Sequence, residues 1–463
     1  MRAQLLAPVH ATMESWLTLN WPSIVLFIYA FIFLFYMGEW LEMCIRDRNE
    51  VAVIGGGAAG MMAAVAAAEA GARVTLLERN EKLGKKVYIT GKGRCNLTNA
   101  CDRDAFLQNV VRNPRFLYSA LDALPPSELM AQMERWGCPV VVERGNRVFP
   151  ASQKASDVTR AFERQLRRLG VEVRLNARVS GLSLRDGRVA GVTLAGGGSV
   201  ACGAAVVCTG GASYPSTGST GDGWTWLRAC GHTISPALPS LVGLESPAQW
   251  VRALTGLSLK NVRLTLSRGK KRLYSDLGEM LFTHFGVSGP LVLSASAYLT
   301  GLPAQEMKLT LDLKPGLTDA QLDARILRDV AAAPKKQLGH VLCGLFPARL
   351  AETVARLCHL DPLKPAGALE REERRRLTEM TRALEIPVSG TRGLEEAIVT
   401  RGGVSVRELD PSTMQSRLVP GLYVAGEAID VDALTGGFNL HIAFATGMLA
   451  GRAAAAQSLD IRE

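Results

Sequence analysis

Two loop side chains of this sequence are candidates for proton or thiol chemistry. His284 lies in the Thr-His-Phe-Gly stretch at 283–286 and could donate a proton to a reduced substrate, because imidazole titrates near neutral pH. Cys95 lies in a glycine-rich stretch at 91–99 and could face a bound cofactor. The alternative for His284 is a structural loop residue. The alternative for Cys95 is a packed thiol, since free cysteines are among the most buried residues.

A glycine-rich turn near residue 55 indicates where a dinucleotide would bind. An apolar strand at 51–54 runs into Gly-Gly-Gly-Ala-Ala-Gly, and an alanine-rich helix follows until Gly71 stops it. In such a turn the first glycine permits the tight bend, the third lets a diphosphate approach the backbone, and the last lets helix and strand pack closely. The helix start adds free N–H groups and a partial positive charge. The predicted contacts are Gly55, Gly57, Ala58, Ala59 and Gly60.

An acidic residue follows the next strand of the sequence. Residues 73–77 are apolar and end in Glu78. A carboxylate at this place accepts hydrogen bonds from the adenosine ribose and repels a 2′-phosphate. The site is therefore predicted to take FAD or NAD rather than NADP.

Residues 178–210 indicate which of the two dinucleotides, FAD or NAD, the site binds. Residues 178–201 are predicted to form three short strands joined by Asp-Gly and Gly-Gly-Gly turns. A buried strand from residue 204 then ends in Thr209 and Gly210, which we expect to contact the cofactor. An excursion of three strands that returns to a parallel strand resembles the FAD domain of the glutathione-reductase-like superfamily. No second Gly-x-Gly-x-x-Gly motif follows, so NAD(P)H is expected to bind only transiently.

A second glycine-bearing stretch near the C-terminus is predicted to complete the site. A strand at 421–425 runs into Gly-Glu, and Gly-Gly-Phe-Asn opens a helix at 441–456. In flavin domains the carboxylate lies near the ribitol hydroxyls, and the helix start stabilises the anionic reduced isoalloxazine. An ordinary surface loop between strand and helix is the alternative. The candidates are Gly426, Glu427, Asp430, Gly437, Phe438 and Asn439.

Two further loops carry polar candidates. Arg94 could contact the diphosphate or an anionic substrate, and Asn96 lies in the same glycine-rich loop. Residues 217–223 are expected to form a turn and a helix start beside the cofactor. Asp222 is predicted to cap that helix.

Four separated motifs in the right order carry a family resemblance. They are Gly-Lys-Gly-Arg-Cys-Asn-Leu-Thr-Asn at 91–99, Thr-Gly-Ser-Thr-Gly-Asp-Gly at 217–223, Leu-Phe-Thr-His-Phe-Gly-Val-Ser-Gly-Pro at 281–290, and the stretch 421–447. From about residue 50 onward the sequence resembles the bile-acid-reductase/aminoacetone-oxidase-like family of NAD(P)/FAD-dependent oxidoreductases. The resemblance implies a bacterial cytoplasmic flavoprotein, and members are linked to reduction of conjugated enones in steroid-like substrates.

The resemblance also implies the fold class. We expect an α/β protein with a discontinuous Rossmann-like FAD-binding domain, an inserted β-barrel-like domain and a small helical domain. Strand-like runs such as 241–245 and the cap signal at Thr318 agree with this. The predicted ranges are 49–212 and 409–463 for the FAD domain, 213–317 and 386–408 for the β-rich domain, and 318–385 for the helical domain.

Charge and cysteine content narrow the function classes. The net charge is +10, but the basic residues are scattered, with three-residue runs only at 270–272 and 374–376. Such dispersed charge is typical of a solvated surface, so we expect no nucleic-acid partner. The nine cysteines include no Cys-x-x-Cys pair, which argues against a zinc ribbon or a dithiol centre and fits a reducing cytoplasm.

Residues 1–48 are expected to lie outside the fold. Residues 24–37 form an uncharged, strongly apolar run flanked by tryptophan and tyrosine. This run is short for a full membrane span. Residues 1–48 are therefore interpreted either as a foreign extension or as a genuine membrane anchor. The oligomeric state is left open.

Three hypotheses of function follow from the sequence. The first is FAD-dependent reduction or oxidation of a small carbonyl or enone compound, with electrons from transient NAD(P)H. The second is a flavoprotein that modifies tRNA, which would need a concentrated basic face. The third is a flavin-binding redox sensor without turnover.

Overall fold

A computed structural model describes residues 50–299 and 301–460, together with 25, 28–29 and 31–33. The positions described between 25 and 33 are helical, and the other expectations for residues 1–48 lie outside the described residues. Within the described part of the chain, no helix is both long and apolar enough to cross a membrane.

The strands of the described residues fall into five sheets. In chain order they are β1 (Glu50–Ile54), β2 (Arg73–Leu77), β3 (Thr98–Asn99), β4 (Val140–Glu143), β5 (Arg147–Pro150), β6 (Glu172–Arg174), β7 (Val179–Arg185), β8 (Arg188–Leu194), β9 (Ser199–Ala201), β10 (Ala204–Val207), β11 (Ile234–Ser240), β12 (Leu244–Glu245), β13 (Ser258–Arg268), β14 (Lys271–Phe282), β15 (Gly286–Ser288), β16 (Met307–Asp312), β17 (Leu384–Ile386), β18 (Gly390–Thr391), β19 (Val399–Val404) and β20 (Leu422–Val424).

The helices lie between these strands and at the C-terminus. In chain order they are α1 (Ala58–Glu69), α2 (Lys85–Ile89), α3 (Arg103–Gln108), α4 (Tyr118–Ala123), α5 (Pro126–Arg135), α6 (Ala155–Arg168), α7 (Asp222–Ala229), α8 (Gln249–Ala253), α9 (Pro290–Leu299), α10 (Asp319–Ala332), α11 (Leu338–Leu342), α12 (Ala348–Leu357), α13 (Arg371–Arg382) and α14 (Phe438–Asp460).

A parallel sheet in the order β20-β10-β1-β2-β6 forms the centre of the first hydrophobic core. Every pairing in it is parallel. Strand β10 is buried along its whole length and β1 nearly so, as expected when both faces of a parallel sheet are covered. The sheet joins chain segments from both ends of the sequence, which confirms the predicted Rossmann-like α/β fold.

Helices α1 and α14 pack closely against each other beside this sheet. Two glycines of α14 make the approach possible. A Cβ added at Gly447 would lie 2.3 Å from the carbonyl oxygen of Ala59, and one at Gly451 would lie 2.2 Å from that of Ala63. The helix that begins at the glycine turn is thus held directly by the C-terminal helix.

A second hydrophobic core lies around an antiparallel sheet in the order β17-β16-β13-β14-β15-β12-β18. Residues of α10–α13 belong to the same core. Helix α10 begins where the sequence predicted, because Thr318 and Gln321 form a reciprocal capping box. Strands β11 and β19 pair antiparallel and connect the two cores along the chain.

Two predicted elements were placed wrongly. Residues 241–245 are not one strand, because Leu241 has a φ of +54° and breaks the extended run between β11 and β12. Helix α14 begins at Phe438 rather than residue 441. Gly436 and Gly437 complete the turn with φ values of +136° and +99°, so the residue after them is already helical.

Candidate cofactor site

One cavity of about 1370 Å³, counting its open mouth, is lined by both glycine-bearing stretches. Its wall includes the turn before α1, the end of β2, the start of α7, the loop after β20 and the start of α14. The sequence-predicted residues that line it are Gly55, Gly57, Ala58, Ala59, Glu78, Thr209, Gly210, Asp222, Gly426, Glu427 and Asn439. The fold therefore brings Gly57 into one wall with Gly426, which lies more than three quarters of the chain length further along the sequence.

In the glycine turn at 55–60, only Gly57 has open space where a side chain would stand. A Cβ at Gly55 would lie 2.6 Å from the carbonyl oxygen of Cys208, and one at Gly60 would lie 1.7 Å from that of Gly55. A Cβ at Gly57 would meet none of the described atoms within 4 Å. The two outer glycines are thus needed for packing, while the backbone at Gly57 faces the cavity. The first N–H groups of α1 have no partners within the helix and are available to an anion.

Glu78 is held rigidly at the end of β2. Its side chain is buried, and Oε2 accepts a hydrogen bond from the Gly56 N–H at 2.6 Å. Oε1 accepts from the Asn80 N–H at 2.7 Å. The carboxylate is thus fixed in the wall of the cavity, beside the glycine turn that would hold the diphosphate. This position suits hydrogen bonds from the hydroxyls of a ribose.

Glu427 lines the cavity in an ion pair that the sequence did not reveal. The ammonium group of Lys86 on α2 donates to Oε2 at 2.8 Å, and the hydroxyl of Ser213 and the N–H of Thr400 donate to Oε1 at 2.7 and 2.8 Å. Burial opposes ionisation, but Lys86 and these hydrogen bonds outweigh it and lower the pKa of Glu427. This part of the wall therefore carries a fixed pair of opposite charges.

Asp430 lies outside the lining of the cavity. Its Oδ1 accepts from the Arg112 guanidinium at 2.6 Å and its Oδ2 from the Ser235 hydroxyl at 2.9 Å. The carboxylate thus joins the loop after β20 to β11. Its contact with a ribitol chain stays a prediction.

The start of α14 is built by tight contacts around Gly437. A Cβ there would lie 2.3 Å from the carbonyl oxygen of Thr98 and 2.9 Å from Oδ1 of Asn96. That Oδ1 atom is buried and has no hydrogen-bond partner among the described residues. Asn439 exchanges two hydrogen bonds with the backbone of Ala433, at 2.7 and 2.9 Å. The start of the helix is therefore fixed while the Asn96 oxygen remains available. Phe438 is buried against the ring of Phe106.

The remaining candidates lie away from the cavity wall. Cys95 is buried, and burial raises the pKa of its thiol far above the usual value. Arg94 donates to Gln153 and Glu143 and lies over the ring of Phe149. His284 is exposed, with its ring edge-on to Phe285 at 5.1 Å between centroids. Their roles stay predictions.

Asp222 does not cap α7 as expected. It is the first helical residue, and Gly221 precedes it as N-cap without a side-chain hydrogen bond. The carboxylate instead binds Arg79, Arg178 and the hydroxyl of Thr220. Gly221 has a left-handed φ of +76°, and the helix begins directly after it. The N-cap is therefore Gly221, one residue before the predicted cap Asp222.

The residues present fit FAD. The hydroxyl oxygen of Thr209 lines the cavity, is buried, and has no hydrogen-bond partner among the described residues, which is costly unless a ligand satisfies it. The turn at Gly57 would hold the diphosphate, Glu78 the ribose, and the start of α14 the flavin ring. Bound there, FAD would supply hydride transfer at its N5 position.

Comparisons with known proteins give one family. The sequence matches the model of the HI0933-like protein Rossmann domain over residues 49–453. It is 34% identical to 3-dehydro-bile acid delta(4,6)-reductase of Clostridium scindens, over 88% of this chain and 99% of that protein. It is 29% identical to the ribosomal RNA dihydrouridine synthase of Escherichia coli, over 86% of this chain and 96% of that protein.

Solved structures show a more distant likeness. The chain is similar to a 3-ketosteroid-delta4-(5alpha)-dehydrogenase of Rhodococcus jostii RHA1, with 17% identity and a TM-score of 0.46, over 88% of this chain and 97% of that one.

Proposed function

Because this chain belongs to the HI0933-like Rossmann-domain family and is a flavin-dependent oxidoreductase, we propose that it uses FAD to reduce a carbon–carbon double bond conjugated to a carbonyl group in a steroid-like molecule. The observation that carries the proposal is the single cavity walled by both glycine-bearing stretches. The relative from Clostridium scindens, whose name states a bile-acid reductase, supports the class of substrate.

The flavin end of the cavity has an apolar wall that suits such a substrate. Val87, Val399 and Leu440 line it, and Ile398 lines it while 40% exposed. Val87 and Val399 are already buried, so a hydrocarbon skeleton would gain mainly by covering Ile398, at about 25 cal/mol for each Å² removed from water. The fixed charges of Lys86 and Glu427 lie in the same wall and would orient the polar end of the substrate.

Reduction of a conjugated enone needs a hydride at the β-carbon and a proton at the α-carbon. A proton donor must titrate near the working pH. Cys95 is buried outside the cavity lining, and burial raises the pKa of its thiol, so we propose the exposed loop residue His284 as donor. His284 also lies outside the lining, so this role requires the loop that carries it to approach the bound substrate. NAD(P)H, bound transiently, is the proposed source of electrons.

The experiment starts from the purified yellow protein. Anaerobic mixing with NADH or NADPH should bleach the flavin absorbance, and a 3-oxo-Δ4 steroid should restore it with formation of the saturated ketone. A saturated 3-oxo steroid serves as the control and should leave the flavin reduced. Flavin that stays oxidised with both nicotinamides would contradict the donor, and reduced flavin that ignores every enone would contradict the substrate class.

A second candidate is reduction of uridine in ribosomal RNA. The relative from Escherichia coli is named a dihydrouridine synthase, and the 5,6 double bond of uracil is likewise conjugated to a carbonyl group. The β13–β14 turn adds exposed Arg268, Lys270, Lys271 and Arg272, a charge cluster that suits phosphate contacts. Reduced enzyme incubated with unmodified ribosomal RNA, followed by mass spectrometry for dihydrouridine, tests this candidate directly.

A further inference from the structure

Three charged side chains meet at one end of the cavity. Oδ2 of Asp222 accepts hydrogen bonds from Nη1 of Arg79 at 3.1 Å and from Nη2 of Arg178 at 3.0 Å. All three residues line the cavity. One carboxylate oxygen thus accepts a hydrogen bond from each of two guanidinium groups in the cavity wall.

These side chains come from three separate parts of the fold. Arg79 lies just after β2, Arg178 just before β7, and Asp222 at the start of α7. Thr220 strengthens the junction, because its hydroxyl donates to Oδ1 of Asp222 at 2.8 Å and accepts from Arg79 at 2.8 Å. The ion pairs therefore add to the hydrogen bonds that Asn80 makes with Thr217 and Asn176 in holding these three wall segments together.

The position of the junction along the cavity follows from its neighbours. Glu78, which suits the ribose, directly precedes Arg79 in the wall. Trp226 lies one helical turn after Asp222 and also lines the cavity, so an aromatic side chain is available there to a planar base. Since the diphosphate belongs at the Gly57 turn and the ribose at Glu78, the group that reaches the junction is the adenine.

Asp222 is ionised at neutral pH. Partial burial opposes this, but hydrogen bonds from Thr220 and Arg178 and the charge of Arg79 outweigh it and lower the pKa of the carboxyl. The side chains of Arg79, Arg178 and Asp222 are 31%, 57% and 26% exposed. Ion pairs this accessible to water can open without a large cost, and salt weakens them.

We propose that Arg79, Arg178 and Asp222 form an ionic latch across the adenosine end of the cavity, and that opening of this latch limits the release of FAD. The proposal depends on FAD as the cofactor and not on the substrate. It assigns to the three residues a positioning role that is remote from the reacting atoms.

The latch distinguishes FAD from FMN. FMN ends at a single phosphate and has no adenosine, so it does not extend past the Gly57 turn to the junction. Loss of the latch is therefore expected to weaken retention of FAD and to leave the affinity for FMN unchanged.

The test compares variants by the rate at which FAD leaves the holoenzyme. Arg178→Met removes one ion pair and should raise the dissociation rate about threefold, and Asp222→Asn, which loses both, should raise it about tenfold. The rate is read from the enzymatic activity that an excess of an unrelated apoflavoenzyme gains as it traps the released FAD. High ionic strength should accelerate release from the unsubstituted protein and have little effect on Asp222→Asn.

Arg174→Met is the matched control. Arg174 pairs with Glu172 on β6 at 2.8 Å with a similarly exposed side chain, but it does not line the cavity. Its FAD release rate should equal that of the unsubstituted protein. If Asp222→Asn lowers the melting temperature by disturbing the start of α7, the FAD release rate of Arg178→Met tests the latch instead, because Arg178 lies outside that helix.

Two results would overturn the latch. One is an unchanged rate of FAD release in Arg178→Met. The other is an equal loss of affinity for FMN and FAD in either variant, which would indicate a general distortion of the site. Both results leave FAD as the cofactor, whereas a colourless protein that refuses added FAD would contradict the proposed function itself.

Discussion

At the scale of single residues, His441 shows how a buried polar side chain can support the site without taking part in chemistry. Its Nε2 lies 2.9 Å from the carbonyl oxygen of Leu124, and its Nδ1 lies 3.0 Å from the hydroxyl of Thr98. A carbonyl can only accept, so Nε2 carries the proton and Nδ1 accepts from Thr98. The ring thereby fixes the first turn of α14 to β3.

Burial lowers the pKa of His441 from 6.5 to about 4, which makes the fold sensitive to acid. A neutral histidine that must become charged stabilises the fold fully above pH ~6.5, and this contribution is lost as the pH falls towards ~4. We expect His441 alone to lower the free energy of unfolding by about 3 kcal/mol across that window, read as the difference between the pH profiles of the unsubstituted protein and His441→Gln. Urea unfolding at several pH values measures it.

His441→Gln should remove this acid-sensitive contribution, so that the variant loses less stability than the unsubstituted protein between pH ~6.5 and ~4, because an amide can bond both Leu124 and Thr98 without titrating. His340→Gln is the control, since His340 is exposed and should leave the profile as it is. An unchanged profile in His441→Gln would show that another group is responsible.

The two candidate reactive residues lead to opposite expectations. His284→Gln should lower kcat by about 100-fold or more if the imidazole donates the proton. Cys95→Ala should change kcat less than about twofold, because a buried thiol with a raised pKa is inert. Steady-state rates with the enone substrate, normalised to bound FAD, distinguish these roles. A large loss of kcat in Cys95→Ala with normal FAD content would reverse the assignment.

The sequence predicted the residues whose roles follow from the local pattern. Gly55, Gly57 and Glu78 could be placed because strand, turn, helix and acid follow each other within thirty positions. Lys86 and Arg178 were missed, although both line the cavity, because their partners Glu427 and Asp222 are distant in the sequence. Only the folded chain shows such pairs.

At the scale of elements, the contact between α1 and α14 controls the site. Gly451→Ala would place a Cβ 2.2 Å from the carbonyl oxygen of Ala63, and a backbone atom cannot move aside as a flexible side chain can. We expect a loss of about 2 kcal/mol in unfolding free energy and weaker FAD binding, because α1 carries the glycine turn. Chemical denaturation and FAD titration measure the two effects.

Gly316→Ala is the control for that substitution. A Cβ at Gly316 would meet none of the described atoms within 4 Å, so stability and FAD affinity should stay the same. Retained stability and affinity in Gly451→Ala would mean that the two helices can separate without cost.

Element boundaries were predictable where side chains determine them and uncertain where backbone conformation does. The start of α10 follows from Thr318 and Gln321, whose side chains satisfy the free N–H groups. The break at Leu241 depends on a left-handed backbone, stabilised by the hydrogen bond from the Val242 N–H to the Ser296 hydroxyl at 2.9 Å. A leucine gives no sign of this in the sequence.

At the scale of the whole molecule, the loop after β20 joins the two hydrophobic cores. Asp430 binds Ser235 of β11 and Arg112, and Asp432 accepts from the Ser240 hydroxyl of β11 at 2.9 Å. Strand β11 is thus attached near both ends to a loop that also leads into α14. A movement of β11 relative to this loop would therefore break the hydrogen bonds of both carboxylates.

Asp432 is the weak point of this junction at neutral pH. Burial raises the pKa of its carboxyl to about 6, against the opposing effects of Ser240, Arg401 and Arg112, and Oδ1 has no hydrogen-bond partner among the described residues. A carboxyl whose pKa is raised on folding stabilises the fold when protonated, so this contribution is full below pH ~4 and is lost as the pH rises to ~6.

Asp432→Asn should therefore stabilise the protein at pH 8 by about 2 kcal/mol and leave it nearly unchanged at pH 4. Asp430→Asn is the contrasting variant, because it weakens an ion pair with Arg112 and should destabilise the protein at pH 8. Urea unfolding of both variants at the two pH values gives the comparison. Equal stability of Asp432→Asn and the unsubstituted protein at pH 8 would mean that this carboxyl is already neutral or solvated there, and that the junction between the cores carries no electrostatic strain.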